Sequence, residues 1–177
     1  IRMSKRTGKA IQLVDLLDEI PIDAARFFFN TREPNTHLIF DLDLAIQENS
    51  ENPVYYVQYA HARICSILRQ LAKENLTVDG IENADLSLLA DPAEIELIRT
   101  LSYMPGEIIS AGKAYDPSKI TKYSITLATQ FHRFYNACRV KGEDEALSKA
   151  RLALCVATKH AIANCLKIMN INIPEQM

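Results

Sequence analysis

No apolar run in these 177 residues approaches the roughly 20 needed to cross a bilayer, and no signal-peptide pattern opens the chain. A cytoplasmic location is the resulting expectation. There is no Cys-x-x-Cys pair: Cys65, Cys138, Cys155 and Cys165 stand singly, so neither a zinc knuckle nor a redox motif is indicated. Buried free thiols are expected instead. His61 and Cys65 lie four apart on a predicted helix, but no second pair completes a metal site. The sequence also lacks a glycine-rich phosphate loop, a nucleophile elbow and a His-Glu-x-x-His pair, so no self-contained active site is visible. From Asn52 onward there is no convincing strand, no repeat and no low-complexity tract. A net charge of −2 argues against a polycation that grips nucleic acid by charge alone.

What is present is an ordinary globular composition, 48% hydrophobic and 24% charged, on a chain long enough for one good core or a small core with an appendage. Charge is unevenly spread. Residues 113–177 hold ten Lys/Arg against five Asp/Glu, a balance of +5, while residues 51–112 hold four against nine, a balance of −5. The later part is a candidate for contacting phosphates, although solvated helix faces also carry such asymmetry. The chain opens at Ile1 and passes straight into a charged stretch, so it is expected to be a piece of a larger protein.

The helix signals are dense. Leu13, Leu16, Leu17 and Ile20 give a short helix closed by Pro21, and residues 22–30 a second one loaded with Phe27, Phe28 and Phe29. Residues 38–44 alternate imperfectly, and an extended stretch or a turn into a helix both remain open. Residues 47–52 form a polar loop, the best candidate domain boundary. Asn52-Pro53, Asp91-Pro92 and Asp116-Pro117 each pair a capping side chain with a proline whose missing N–H costs nothing at a helix start. The helix after Asp91 is assigned a face of Ile95, Ile98 and Leu101. Met104-Pro105-Gly106 then interrupts, and a further helix stops near Gly112. After Asp116, Ile120, Tyr123, Leu127, Phe131, Phe134 and Cys138 mark a bundle seam flanked by His132, Tyr135 and Arg139. The last helix, about residues 144–169, is given a stripe of Ala150, Leu154, Ala157, Ala161, Cys165 and Ile168, with Asn170 just past its end. The body is therefore expected to be an all-α helical bundle.

The helix that begins at Asn52-Pro53 carries the most pointed pattern. At 100° per residue, Val57, Ala60, Ile64, Leu68 and Leu71 share one apolar stripe, and Tyr56, Tyr59 and Arg63 lie together along its flank. Two rings and a guanidinium at a core's edge suit stacking on unpaired bases and holding phosphates. Tyrosines in that position also serve as lids on the core, and spacing does not separate the two.

Two further sets of residues bear on that choice. Arg2-Met3-Ser4-Lys5-Arg6 resembles the Lys-Met-Ser-Lys-Ser signature loop of class I aminoacyl-tRNA synthetases. Nearly the whole chain is similar to arginyl-tRNA synthetases: Leu16-Leu17-Asp18-Glu19, Asp23-Ala24-Ala25-Arg26-Phe27-Phe28, His37-Leu38, Phe40-Asp41-Leu42-Asp43-Leu44-Ala45, the run Tyr55-Tyr56-Val57-Gln58-Tyr59-Ala60-His61-Ala62-Arg63, Phe134-Tyr135-Asn136, Arg151-Leu152-Ala153-Leu154 and Ile173-Pro174-Glu175-Gln176-Met177. The resemblance implies that residues 1–50 are the tail of a catalytic domain including the signature loop, and residues 51–177 an anticodon-binding helical bundle. It implies that Lys5 stabilises charge on ATP phosphates in the intact enzyme. It places the anticodon loop of an arginine tRNA against Tyr56, Tyr59, Arg63, Tyr135 and the terminal Met177. With these, Arg139 and Lys122 are assigned to phosphates. The intact enzyme would use ATP and Mg²⁺, whereas this fragment, without the missing N-terminal part, is expected to be inactive and to bind neither. Arg2 and Arg6 depart from the signature's first lysine and last serine, and Gln176 stands where arginine is common. The competing expectation is a helical module that docks a protein partner through the same aromatic edge.

Overall fold

The computed structural model describes residues 12–177, and among these it contains helices, turns and loops but no strand. The all-α expectation holds. In chain order the α-helices are α1 (Leu13–Glu19), α2 (Ile22–Phe29), α3 (Leu42–Ala45), α4 (Pro53–Lys73), α5 (Pro92–Ser102), α6 (Met104–Ala114), α7 (Ser118–Ala137) and α8 (Glu145–Ile168). Two single-turn 3-10 helices, Ile81–Asn83 and Leu86–Leu88, interrupt the long connection between α4 and α5. The ambiguous stretch at 38–44 runs without regular structure to Asp41, whose carboxylate accepts from the Leu44 N–H and starts the one-turn α3.

Two of the three proline-paired start signals, Asn52-Pro53 and Asp91-Pro92, cap their helices as expected, whereas at Asp116-Pro117 the N-cap is Pro117 and Asp116 stands one residue outside. Asn52 accepts from the Val54 N–H and donates through Nδ2 to the carbonyls of Ala45 and Gln47, so it caps α4 and ties the preceding loop to it. Asp91 and Glu94 form a reciprocal capping box on α5. Asp116 accepts from the Ser118 N–H at the head of α7, and Asp144 from the Leu147 N–H at the head of α8. The Ser118 contact holds the Asp116 carboxyl below the ordinary carboxylate range.

The bundle is built on α4, α7 and α8, which pack against one another, with α5 and α6 against α7 and α2 against α4. The α7 seam lies where its spacing put it: Leu127, Phe131 and Phe134 are fully buried, and Ile120, Tyr123 and Cys138 nearly so. Each such fully buried Leu or Phe contributes roughly 1.5–3 kcal/mol relative to exposure. Core side chains come from α2 as well as from the bundle. Phe27 and Phe28 are buried, whereas Phe29, pointing away, is 49% exposed. All four cysteines are buried free thiols, and burial pushes Cys155 and Cys165 up to about 12.

Three local expectations need correction. The buried face of α5 is Glu94, Leu97 and Thr100, with Ile95 and Ile98 exposed. The face turns because the Glu94 carboxylate is drawn inward by Arg151 of α8, Nε to Oε1 at 2.6 Å. The α8 stripe is a wide face rather than a narrow one: Leu152, Cys155, Thr158, Ile162 and Leu166 are buried, while Ala157 and Ile168 are exposed. Helices on several sides of α8 account for that width. Helix α6 runs through Gly112 and closes at Tyr115, which takes the left-handed conformation (φ 52°).

Candidate nucleic-acid interface

The flank of α4 singled out by its rings meets α7. The Tyr56 hydroxyl reaches Thr129 Oγ1 at 3.3 Å, and its ring lies 5.1 Å from the His132 imidazole. His132 is also 6.1 Å from Tyr59, and Tyr59 is stacked with Tyr55 at 6.4 Å with planes 7° apart. Phe131, fully buried, supports both His132 and Tyr135 from beneath. Arg63 lies over two rings, 4.4 Å from the Tyr135 centroid and 5.9 Å from that of Tyr59. Both fall within the roughly 6 Å at which a cation is attracted to a ring face.

Tyr56, Tyr59, Arg63 and Tyr135 are thus brought into one continuous surface spanning two helices. Tyr59 is 38% exposed and the other three are partly buried, so the rings rest on the core while keeping an edge in water. Arg63 forms no ion pair with a carboxylate among the described residues. Its charge is held in place by ring faces and remains available to an anion. Chemically this is a platform of π-faces around one fixed cation, suited to flat, anionic, unpaired polymer.

Burial, followed by the nearby Arg63 charge, pushes the His132 imidazole down to about 4, so it is neutral at physiological pH. Its Nε2 is buried and without a hydrogen-bond partner among the described residues. Sequence reasoning placed His132 beside the seam but not among the site residues, and it left Tyr55 unassigned. Tyr55 was reachable from spacing alone, since it lies one helical turn before Tyr59.

The remaining site residues are more dispersed. Arg139 is exposed just beyond α7, and its carbonyl accepts from Arg151 at 2.8 Å. It lines a half-open cavity of about 420 Å³ together with Ile67, Gln70, Tyr135 and Lys141. Lys122 is exposed on α7, ten residues before His132 and hence about 15 Å away along the helix axis. Met177 is 51% exposed at the end of a tail that runs along α4. Lys5 lies outside the described residues.

That tail explains the polar residues of α4 that had no assignment. Gln58 Nε2 donates to Asp23 Oδ2 of α2 and to the Asn172 carbonyl, both at 3.0 Å. His61 Nδ1 lies 2.8 Å from the Pro174 carbonyl, and Arg69 donates to the Glu175 carbonyl at 3.1 Å. Arg26 of α2 donates to the Asn170 carbonyl at 2.7 Å, and Asp23 accepts from the Asn172 N–H. His61, whose imidazole burial lowers from its usual range, is therefore engaged by the chain terminus.

The family match sets the class of this all-helical bundle as a helical anticodon-binding domain. The chain is a member of the DALR anticodon binding domain family, whose model matches residues 57–177. It is 54% identical over its whole length to an arginine–tRNA ligase from Caldanaerobacter subterraneus and 53% identical over 99% of its length to one from Acetivibrio thermocellus. It spans about a third of the length of these curated relatives, 32% and 31% respectively. Among solved structures, a Campylobacter jejuni chain provisionally named an arginyl tRNA synthetase superposes with a TM-score of 0.85 at 32% identity, covering 100% of this chain and 37% of that one. The Thermus thermophilus arginyl-tRNA synthetase gives 0.74 at 26% identity, covering 98% and 29%. Among the described residues no helix is long and apolar enough to cross a membrane.

Proposed function

We propose that this chain is the anticodon-recognising part of a cytoplasmic arginine–tRNA ligase. Unstacked bases of the anticodon loop of an arginine tRNA lie on the surface made by Tyr56, Tyr59 and Tyr135, extended by Tyr55 and His132. Arg63 and Arg139 take phosphates, and the terminal Met177 closes the site. The observation that carries this reading is the Arg63 guanidinium suspended between Tyr59 and Tyr135 with no carboxylate paired to it among the described residues. A cation held by ring faces at the edge of the core is placed to meet a backbone phosphate. Family membership and the ligase names of the relatives support the same assignment.

In this reading residues 1–50 end the catalytic domain and residues 51–177 form the recognition bundle. The intact ligase activates arginine with ATP and Mg²⁺, with Lys5 set against the ATP phosphates. The chain by itself then recognises RNA without performing ligation.

The test is titration of the 177-residue chain with an anticodon stem-loop from an arginine tRNA across a salt series. Affinity should fall steeply with salt through release of counterions, and should be weaker for a stem-loop with a scrambled anticodon. A salt-insensitive or anticodon-blind response would favour the protein-docking module instead.

A further inference from the structure

We propose that the outer edge of α7, carrying Lys119, Lys122 and Arg133, is a track for the sugar-phosphate backbone of the RNA stem that adjoins the anticodon loop. This deepens the anticodon-binding reading above and rests on it.

Charge is the starting point. The 20 residues of α7 include no aspartate or glutamate, yet they carry three cations. At 100° per residue, Lys119, Lys122, Thr126, Thr129 and Arg133 fall within about 80° of one another, so the cations share one edge of the helix. Lys122, Thr126 and Arg133 are exposed, and Lys119 is half-buried. None of the three cations forms an ion pair among the described residues. Asp116, just ahead of the helix, feels the charges of Lys119 and Lys122 while its carboxylate accepts from the Ser118 N–H. A merely solvated helix face interleaves acids with its cations three or four residues apart, and this edge offers none.

The edge joins the ring surface. Thr129 Oγ1 lies 3.3 Å from the Tyr56 hydroxyl, and Arg133 follows Thr129 by one turn. Helices α4 and α7 run in the same direction where they meet, since Tyr56 reaches Thr129 and Arg63 lies over Tyr135. From Arg133 the row therefore leads back toward the start of α7, past the level of Tyr56, to Lys122 and Lys119. Lys119 and Arg133 are about 21 Å apart along the axis. A strand whose unpaired bases rest on the rings continues into a paired stem, which turns its bases inward and its phosphates outward. A straight row of unpaired cations suits that backbone. The hydroxyls between them are bonded back to the helix, Thr126 to the Lys122 carbonyl and Thr129 to the Ile125 carbonyl. The edge thus acts by charge, which positions RNA without reading its sequence.

The experiment compares the 177-residue chain with Lys122→Gln, Arg133→Gln, the triple variant that adds Lys119→Gln, Tyr59→Ala, and Lys167→Gln at an exposed position of α8. Affinity is measured across a salt series for three RNAs: the anticodon stem-loop of an arginine tRNA, the same stem with a scrambled anticodon, and the unpaired loop sequence alone. Lys122→Gln and Arg133→Gln should each lower the slope of log affinity against log salt by about 0.7–0.9. Each should weaken both stem-loops by the same factor and leave the unpaired loop unaffected. The triple variant should lower the slope by about two or more. Tyr59→Ala should weaken stem-loop binding with the slope kept, and Lys167→Gln should change neither. Lys122 and Arg133 are exposed, so their single variants carry the test if the triple variant does not fold. Unchanged slopes, an equal loss from Lys167→Gln, or an equal loss on the unpaired loop, while Tyr59→Ala binds weakly, overturn the track alone. No binding by the parent chain, or no effect of Tyr59→Ala, overturns the anticodon reading and the track with it.

Discussion

The two faces of α4 use polar atoms in opposite ways. On one, Gln58, His61 and Arg69 spend their donors on carbonyls of the same chain. On the other, Arg63 rests on rings, and His132 of the facing helix α7 has an Nε2 that meets no described partner. A polar group whose partners are internal fixes geometry. One whose partners are missing is poised for something that arrives. The contrast separates structural from ligand-facing residues on a helix whose composition alone mixes them.

Three perturbations would break or sharpen that contrast. The largest effect is expected from Arg151→Met. It leaves the Glu94 carboxylate buried without its partner, at a cost of about 3–5 kcal/mol, and it frees the Arg139 carbonyl beside the ring face. Urea unfolding would measure the loss. A decrease near zero would mean that the ion pair is dispensable to both faces.

Acid should come next. In the unfolded chain imidazoles take up protons near pH 6.5, whereas folded His132 does so at about 4 and His61 below its usual range. Between those values the unfolded state binds more protons. Stability is therefore complete above pH 6.5 and is lost as the pH falls toward 4. His132→Phe should flatten this decline by filling the ring's place without titrating, as followed by thermal melts from pH 7 to 4. An unchanged slope would show that His132 does not report on the folded ring face.

The smallest effect on folding is expected from Tyr59→Ala, within about 0.5 kcal/mol for an exposed ring outside the core. The same variant should lose about 1–3 kcal/mol of stem-loop affinity if a base stacks there. A large stability loss with intact RNA affinity would make Tyr59 a core lid and erase the difference between the faces.

Much of this was legible in the sequence. Asn52-Pro53 and Asp91-Pro92 announce helices because capping chemistry is local, and α7 declares its seam because Leu127, Phe131 and Phe134 have no use except in a core. The rings beside Arg63 were visible by spacing, and the resemblance gave them a role. The α5 face was misread because Ile95 and Ile98 look like core, while the residue turned inward, Glu94, depends on an arginine 57 positions away. The role of Gln58 and His61 was not legible for a different reason. Their partners are carbonyl oxygens, which every residue possesses, so no side-chain pattern marks the place.

That last point has a consequence for how the terminus can vary. Because the four held carbonyls fall within six consecutive residues, the spacing of the tail is fixed by hydrogen bonds to its main chain rather than by its side chains. The tail behaves as a ruler laid along α4. Insertion of one residue between Asn170 and Pro174 would slide every later mark past its donor and move Met177 with it, whereas changing the letters written on the ruler would not.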